Sequence, residues 1–270
     1  MARRTKKSSA APDPGDELRQ RVLALFAALR VPLTSEQLDD VLSAADREAL
    51  APLDFIERLL DPLVRDRRDR AIEYRIRKAR FPERRTLDEF DWKFNAEAID
   101  QRQIEMLATC DFIRRRENLI LIGQSGVGKS HIVLALGLRA CALGYDVLFT
   151  TSAEIIARLT ASLADATLPR KLRQLTKPDL LVIDEFAFDH LERANSRDAA
   201  ALLYKVIHER NGKRSTALVT NLDFGDWADY LGDAPLTMAF TDRLVDRATI
   251  LRIRKARSYR AHGRRPADQA

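Results

Sequence analysis

An α/β fold built on a parallel sheet is what this sequence predicts, on three observations. Five short, almost uninterrupted apolar segments alternate with stretches of helical periodicity, the pattern of a parallel sheet covered on both faces. The first segment runs into a glycine-rich turn, Gly123 to Lys129, and restarts at once as a helix. A purely helical stretch precedes the alternating region and predicts a small all-helical domain in front of it.

Residues 1–16 are polar, carry Pro12, Pro14 and Gly15, and are expected to form a disordered basic tail. From Glu17 to about residue 84 the spacing is helical. Leu18, Val22, Leu25, Phe26 and Leu29 form one stripe, and a second helix is expected from a Ser35 cap through Leu38, Val41 and Leu42. Pro32 and Pro52 punctuate these helices. Phe81-Pro82 ends a third, strongly basic helix with Ile72, Ile76 and Ala79 along its apolar side. Residues 85–97 read as a linker whose aromatics, Phe90, Trp92 and Phe94, are expected to pack on the next domain, residues 98–260. Residues 261–270 make a basic C-terminal tail.

Within the second domain a helix is expected over 98–112, then a strand over Asn118–Ile122 and a helix over Lys129–Leu143, stopped by Gly144. The next strand is Asp146–Thr150, and Thr151 with Glu154 predicts a capping box for the helix after it. Asp179–Glu185, Ser215–Thr220 and Ala248–Ile253 complete the strands.

Composition narrows the class. A chain of 270 residues, 46% of them apolar, can bury a sizeable core. No apolar run approaches the roughly 18 residues of a membrane span. "SSAAPDPGDE" stands where a signal peptide needs an apolar stretch. Cys110 and Cys141 lack metal-site spacing and read as buried thiols of a reducing cytoplasm. The charge surplus is uneven: residues 65–85 hold ten Lys/Arg against four Asp/Glu, and residues 252–265 hold seven basic residues and no acid. Two such blocks predict a polyanionic partner, nucleic acid before a membrane surface.

The motif that carries chemistry is "GQSGVGKS", Gly123 to Ser130. It follows a strand and opens a helix, the context in which backbone N–H groups cradle phosphates. Gly123, Gln124, Ser125, Gly126, Val127, Gly128, Lys129, Ser130 and His131 are therefore expected to hold a nucleotide. Lys129 would reach its β- and γ-phosphates and the Ser130 hydroxyl would ligate Mg²⁺. "LLVIDEF" places Asp184 and Glu185 at the end of a buried strand, where a carboxylate needs a cation. Asp184 is the expected Mg²⁺ partner, and Glu185 the group that polarises a water for attack on the γ-phosphate. Such a pair favours hydrolysis of ATP over transfer to a small acceptor. Asn221 ends the next strand, to orient the attacking water, to touch the γ-phosphate, or simply to cap a turn. Arg243 and Arg247 stand one helical turn apart, either as surface residues paired with Asp242 or Asp246, or as a guanidinium supplied to a neighbouring subunit.

Beyond the motifs, the runs "ARFPERRTLDEFDWKFN", "LATCDFIRRRENLILIGQSGVGKSHIVLALG", "GYDVLFTTSAEI", "DLLVIDEF", "TNLDFGDW" and "DRLVDRATILRIRKARSYR" resemble IstB-like transposition helper ATPases in order and spacing. The resemblance covers most of the chain, up to Arg260. More distantly it is similar to DnaC-type helicase loaders and DnaA-type initiators of the AAA+ class. It implies a AAA+ P-loop NTPase with sheet order 5-1-4-3-2 that uses ATP and Mg²⁺, assembles as a homo-oligomer on double-stranded DNA, and recruits or activates a partner transposase. A DnaC-like replicative helicase loader is the alternative. By position, Gly128, Lys129 and Ser130 bind nucleotide, Asp184 and Glu185 serve Mg²⁺ and hydrolysis, Asn221 is the sensor and Arg243 the finger acting in trans. Two positions depart from the family pattern: its glycine after the Asp-Glu pair is Ala187 here, and its Gly-x-Ser-Tyr-Arg ending is Ala256-Arg257-Ser258-Tyr259-Arg260.

DNA contacts follow from charge. The candidates are Arg75, Arg77, Lys78 and Arg80 on the basic helix, and Arg170, Lys171 and Arg173 after the second strand's helix. Phosphate contacts without base readout are expected. The basic helix alternatively grips the transposase.

Overall fold

The computed structural model describes residues 14–194, 196 and 198–262, so most of the two expected tails lies outside the described residues. Contacts divide the chain into two units, Met1–Ala71 and Ile72–Ala270.

The first unit holds α1 (Pro14–Ala28), α2 (Ser35–Glu48) and the opening turns of α3 (Pro52–Ala79). Helix α1 begins at Pro14, so residues 14–16 open the helix rather than extend a tail. Proline loses nothing at a first helical position, and Asp16 and Glu17 suit the positive end of the helix. The cap of α2 is Thr34, not Ser35. The Thr34 hydroxyl accepts from the Gln37 N–H at 3.2 Å, while the Gln37 side chain accepts from the Thr34 N–H at 3.0 Å. The α1 stripe is only partly covered: Val22 and Phe26 are half-buried, but Leu18, Leu25 and Leu29 stay exposed. The expected boundary at residue 84 moves into the middle of α3. Ala79 is fully buried in the core of the second unit, with Ile76 and Phe81 packed against that core.

The second unit is the α/β domain. A short break leads to α4 (Gln101–Leu107) and α5 (Asp111–Arg114), then β1 (Asn118–Gly123), α6 (Lys129–Ala142) and β2 (Val147–Thr151). Next come α7 (Ser152–Ala164), α8 (Leu168–Thr176), β3 (Leu180–Phe186), α9 (His190–Ala194), α10 (Ala199–Arg210) and β4 (Ser215–Thr220). A 3₁₀ turn, Phe224–Asp226, precedes α11 (Trp227–Leu231), α12 (Ala234–Val245), β5 (Ala248–Ile253) and α13 (Tyr259–His262).

All five strands pair in parallel, in the order β2-β3-β4-β1-β5. Read from the other edge, this is the expected 5-1-4-3-2. Alternation along the central strands sorts the core into two layers. Leu119 and Leu121 of β1 join Val182, Ala217 and the α6 residues Ile132, Val133 and Leu136 on one face. Ile120 and Ile122 join Leu181, Ile183 and Leu218 on the other, beneath α7, α8, α10 and α12. Each such fully buried aliphatic side chain contributes about 1.5–3 kcal/mol relative to exposure.

Two local expectations are corrected. The single helix over 98–112 is two short ones, because Asp100 caps α4 by accepting from the Arg102 and Gln103 N–H groups and Cys110 turns left-handed at φ +60° before α5. At α7 only half the capping box forms. The Thr151 hydroxyl accepts from the Glu154 N–H, but the Glu154 carboxylate accepts from the Thr150 hydroxyl at 2.7 Å and pairs with Arg158. Both cysteines are free and buried as expected, and burial pushes their thiols up to about 11 at Cys110 and about 12 at Cys141. Among the described residues no helix is long and apolar enough to cross a membrane.

Candidate functional site

In a parallel sheet every strand delivers its C-terminal end to the same edge. Here the loop after β1, the ends of β3 and β4, and residues beyond β5 line one cavity of about 530 Å³. The loop after β1 forms its floor. Gly128, the cap residue of α6, sits at φ +103°, and a Cβ there would stand 2.9 Å from the Phe90 ring. Glycine is thus required twice, for the backbone turn and for the close approach of an aromatic ring.

That ring comes from the linker. Phe90 packs on Trp92 with centroids 4.7 Å apart and meets His131 edge-on at 5.1 Å, while His131 Nε2 bonds the Thr86 carbonyl at 2.7 Å. The linker aromatics pack on the second domain, as expected. What the sequence did not single out is that Phe90, Phe94 and Asn95 also line the cavity, together with Tyr259 and Arg260. These contacts join residues far apart in the chain, and no local pattern announces them.

Lys129 is buried at 8% exposure, and its ammonium donates to the carbonyls of Gly123 at 2.6 Å and Gln124 at 2.7 Å. Burial lowers its pKa to about 8, offset by the negative charge of Asp184 and assisted by the positive charge of Arg260. Ser130, next on α6, also faces the cavity.

Asp184 and Glu185 are neighbours on β3, and a regular strand would send them to opposite faces. The ladder between β3 and β4 shifts register between Ile183 and Phe186, and Glu185 sits at φ +54°. This irregularity re-aims the second side chain, so both carboxylates line the one cavity. Asp184 is nearly buried and accepts from the Glu185 N–H at 2.8 Å, while Glu185 is exposed to the cavity mouth and its carbonyl accepts from the Ser152 hydroxyl at 3.1 Å. Ala187, where the family pattern has glycine, stands at φ +80°, which accounts for a glycine preference there. Asn221 follows the last residue of β4 and lines the same cavity.

Buried Asp184, with one oxygen engaged by an N–H, and the Ser130 hydroxyl make an oxygen-only donor set that fits Mg²⁺ held together with phosphate oxygens and water. Among the described residues no group of three or more His, Cys, Asp or Glu side chains forms a dedicated metal cage.

Arg243 is not part of this cavity. Its carbonyl and that of Leu244 accept from the Asn118 amide at 3.4 and 2.9 Å, at the N-terminal end of β1. The phosphate loop begins at the other end of that strand, about 17 Å away at the usual rise. The Arg243 guanidinium donates to His208 Nδ1 at 2.8 Å and to the Ala239 carbonyl at 2.9 Å, and lies 5.1 Å from the Tyr204 ring centre. Neither Asp242 nor Asp246 pairs with it among the described residues. Arg247, at φ +55°, belongs to the turn into β5.

A sequence profile of the IstB-like ATP binding protein family matches residues 24–267. The chain belongs to this family. It is 34% identical over 243 residues to the protein from Pseudomonas aeruginosa named for ATP binding in insertion sequence IS21, covering 90% of this chain and 89% of that one. It is 31% identical over 253 residues to the corresponding IS5376 protein of Geobacillus stearothermophilus, covering 93% and 98%. Among solved structures it is similar in fold to DnaI, with a TM-score of 0.51 at 20% identity over 63% of this chain and 91% of that chain. The AMPPCP-bound DnaA from Aquifex aeolicus has a TM-score of 0.50 at 15% identity, over 64% and 50%. By family this is an IstB-like ATP-binding chain, and it shares its fold with DnaI and DnaA.

A second, cationic cleft of about 270 Å³ opens at the sheet edge formed by β2. Lys78 and Arg80 from the end of α3 and Lys171 from α8 share it with Arg158 and Lys177, which sequence reasoning passed over, against the single carboxylate Asp146. Lys78 pairs with Asp146 at 2.9 Å. The structure thus gathers members of both predicted basic groups, while Arg75, Arg77, Arg170 and Arg173 stand outside the cleft lining.

Proposed function

We propose that this IstB-like ATPase binds ATP with Mg²⁺, assembles copies of itself on duplex DNA in that state, and thereby recruits or activates a partner transposase. The observation that carries the nucleotide half is the convergence of Lys129, Ser130, Asp184 and Glu185 on one cavity at the sheet's C-terminal edge.

Each group has a part set by its chemistry. The Lys129 ammonium exchanges the Gly123 and Gln124 carbonyls for β- and γ-phosphate oxygens, so its hydrogen bonds are traded rather than lost. Ser130 and Asp184 hold Mg²⁺, which when bound neutralises charge developing on the phosphate oxygens. The Glu185 carboxylate takes a proton from a water whose oxygen bonds to the γ-phosphorus as the bond to the bridging oxygen breaks, leaving ADP and phosphate. Asn221 orients that water. Arg243 is too far to serve its own chain, and its position suits donation to the site of the next copy, so hydrolysis waits for assembly.

The cationic cleft supports the DNA half. Of its five cations Lys78 is paired with Asp146 and Arg158 with Glu154, and Arg80, Lys171 and Lys177 suit a phosphate backbone, where such contacts hold DNA without reading bases. The relatives named for insertion sequences support a role in transposition over one in helicase loading. The test is co-purification of the chain, with ATP and DNA, alongside an integrase-type transposase or a replicative helicase. Capture of the transposase is expected; capture of the helicase alone would reverse the reading.

A further inference from the structure

We infer that His208 and Tyr204 of α10 form an uncharged rest for the Arg243 guanidinium, which keeps it ordered and ready for transfer to the nucleotide of a second copy of this chain. This rests on the reading of Arg243 as a finger acting in trans.

Arg243 has a rigid root. It stands in the last turn of α12, between Phe240 and Leu244, both buried in the layer to which α10 contributes Leu203, Val206 and Ile207. Its backbone is therefore fixed, and only the side chain is left to place. Tyr204 and His208 lie one turn apart on α10, with ring centres 5.6 Å apart and planes inclined by 21°. Tyr204 is half-buried and packs on that same layer, whereas His208 is exposed.

The guanidinium meets three partners, none of them an anion. Its Nε donates to His208 Nδ1 at 2.8 Å, a terminal nitrogen donates to the Ala239 carbonyl at 2.9 Å, and the group lies 5.1 Å from the Tyr204 ring centre. A guanidinium only donates, so Nδ1 is the accepting nitrogen and the imidazole is neutral, with its proton on Nε2. Among the described residues no carboxylate forms an ion pair with Arg243, although Glu209, Asp242 and Asp246 neighbour the pair in sequence. Arg114, Arg158 and Arg214 of the same domain do pair with carboxylates, so Arg243 is held differently.

That choice of partners suits transfer. A guanidinium drawn off a carboxylate must first give up that attraction, which offsets part of what a phosphate returns. Drawn off a ring nitrogen and a carbonyl near the surface, it leaves groups that water satisfies. The cation is thus ordered before it binds and brings its whole charge to the phosphate. His208 acts through Arg243 and does not touch the nucleotide; it is a positioning residue.

The test uses the full chain with duplex DNA, Mg²⁺ and ATP, reading turnover by phosphate release and ATP binding by calorimetry. His208→Ala is expected to keep ATP affinity and KM within about threefold of the parent and to lower kcat about tenfold or more, the scale of a misplaced catalytic group. His208→Gln offers an amide oxygen to the guanidinium and should stay within about threefold of the parent in kcat. His208→Glu has the same shape with a charge and should turn over about three- to fivefold more slowly than His208→Gln, the reach of a partly exposed ion pair. Mixing His208→Ala, which has an intact site, with Lys129→Ala, which has an intact finger, should raise turnover above either alone; a general loss of fold would give no such gain. Parent-like turnover in His208→Ala, His208→Gln as slow as His208→Ala, or His208→Glu as fast as His208→Gln overturns the proposal. If Arg243→Ala mixed with Lys129→Ala recovers activity in the same assay, the finger in trans stands and only the part of His208 falls. If that mixture stays inactive, the finger reading falls with it.

Discussion

The ammonium of Lys129 donates to the carbonyl oxygen of Gly123 at 2.6 Å, from the first residue of α6 back to the last residue of β1. Without phosphate the cation closes its own loop. Burial lowers its pKa from 10.5 to about 8, and only the ammonium can bind a triphosphate. ATP affinity is therefore predicted to fall as pH rises through about 8, with net proton uptake on binding near pH 8.5, read by calorimetry in buffers of different ionisation enthalpy. Folding stability moves the other way. The folded chain binds fewer protons at Lys129 than the unfolded chain between about 8 and 10.5, so this residue's contribution rises with pH across that window and is lost as pH falls through about 8. Affinity that is flat across the window would contradict the assignment.

Glu185 holds a left-handed backbone at φ +54° and faces the cavity beside Asp184. Glu185→Gln keeps the shape and removes the base. Its hydrolysis rate is predicted to fall by about 10²–10⁴ with ATP affinity within a few-fold of the parent. Phosphate release assays check this, and parent-like turnover would move the base elsewhere.

Ala187, at φ +80°, separates backbone demand from side-chain demand. Ala187→Gly relieves the left-handed strain and loses a buried methyl, so its unfolding free energy should lie within about 1 kcal/mol of the parent. Ala187→Val puts a β-branched residue where it fits worst and is predicted to cost about 1–3 kcal/mol in denaturant unfolding. Equal stability of the two variants would mean that the turn relaxes.

Arg243 is tied to His208 at one end of the sheet while the nucleotide cavity lies at the other. Arg243→Ala should bind ATP normally and lose about 10³-fold or more of its DNA-stimulated hydrolysis. Lys129→Ala lacks a working site but still offers Arg243. Mixing the two inactive variants should restore part of the activity, because intact site and intact finger then meet across subunits. No recovery on mixing would argue against a finger in trans.

The β2-edge cleft predicts a salt signature. Lys171→Ala and Lys177→Ala should each weaken duplex binding alike across sequences and lower the slope of log affinity against log salt by about one. ATP binding should not change. A loss confined to one DNA sequence would point to base contacts instead.

Much of the site was legible because its chemistry is contiguous. Gly123 to Ser130 must follow one another for a strand to feed a phosphate cradle, and Asp184 must end a strand. The sheet order came from resemblance and the strands from apolar runs, and both match the structure. What stayed hidden is non-local. That Glu185 faces the same way as Asp184 depends on a register shift, and the roles of Phe90, Tyr259 and Arg260 depend on loops meeting over the cradle. No turn or breaker marks the boundary inside α3, because one helix runs on from Pro52 to Ala79 through Ala71 and Ile72. Arg158 and Lys177 lie in separate segments and join Lys78 only by folding.

The central claim is that nucleotide governs assembly on DNA, and electron microscopy of the full chain with duplex DNA tests it most directly. The account predicts ordered multi-copy assemblies with ATP, none with ADP, and none for Lys129→Ala. Assemblies of the same form and number without any nucleotide would contradict it.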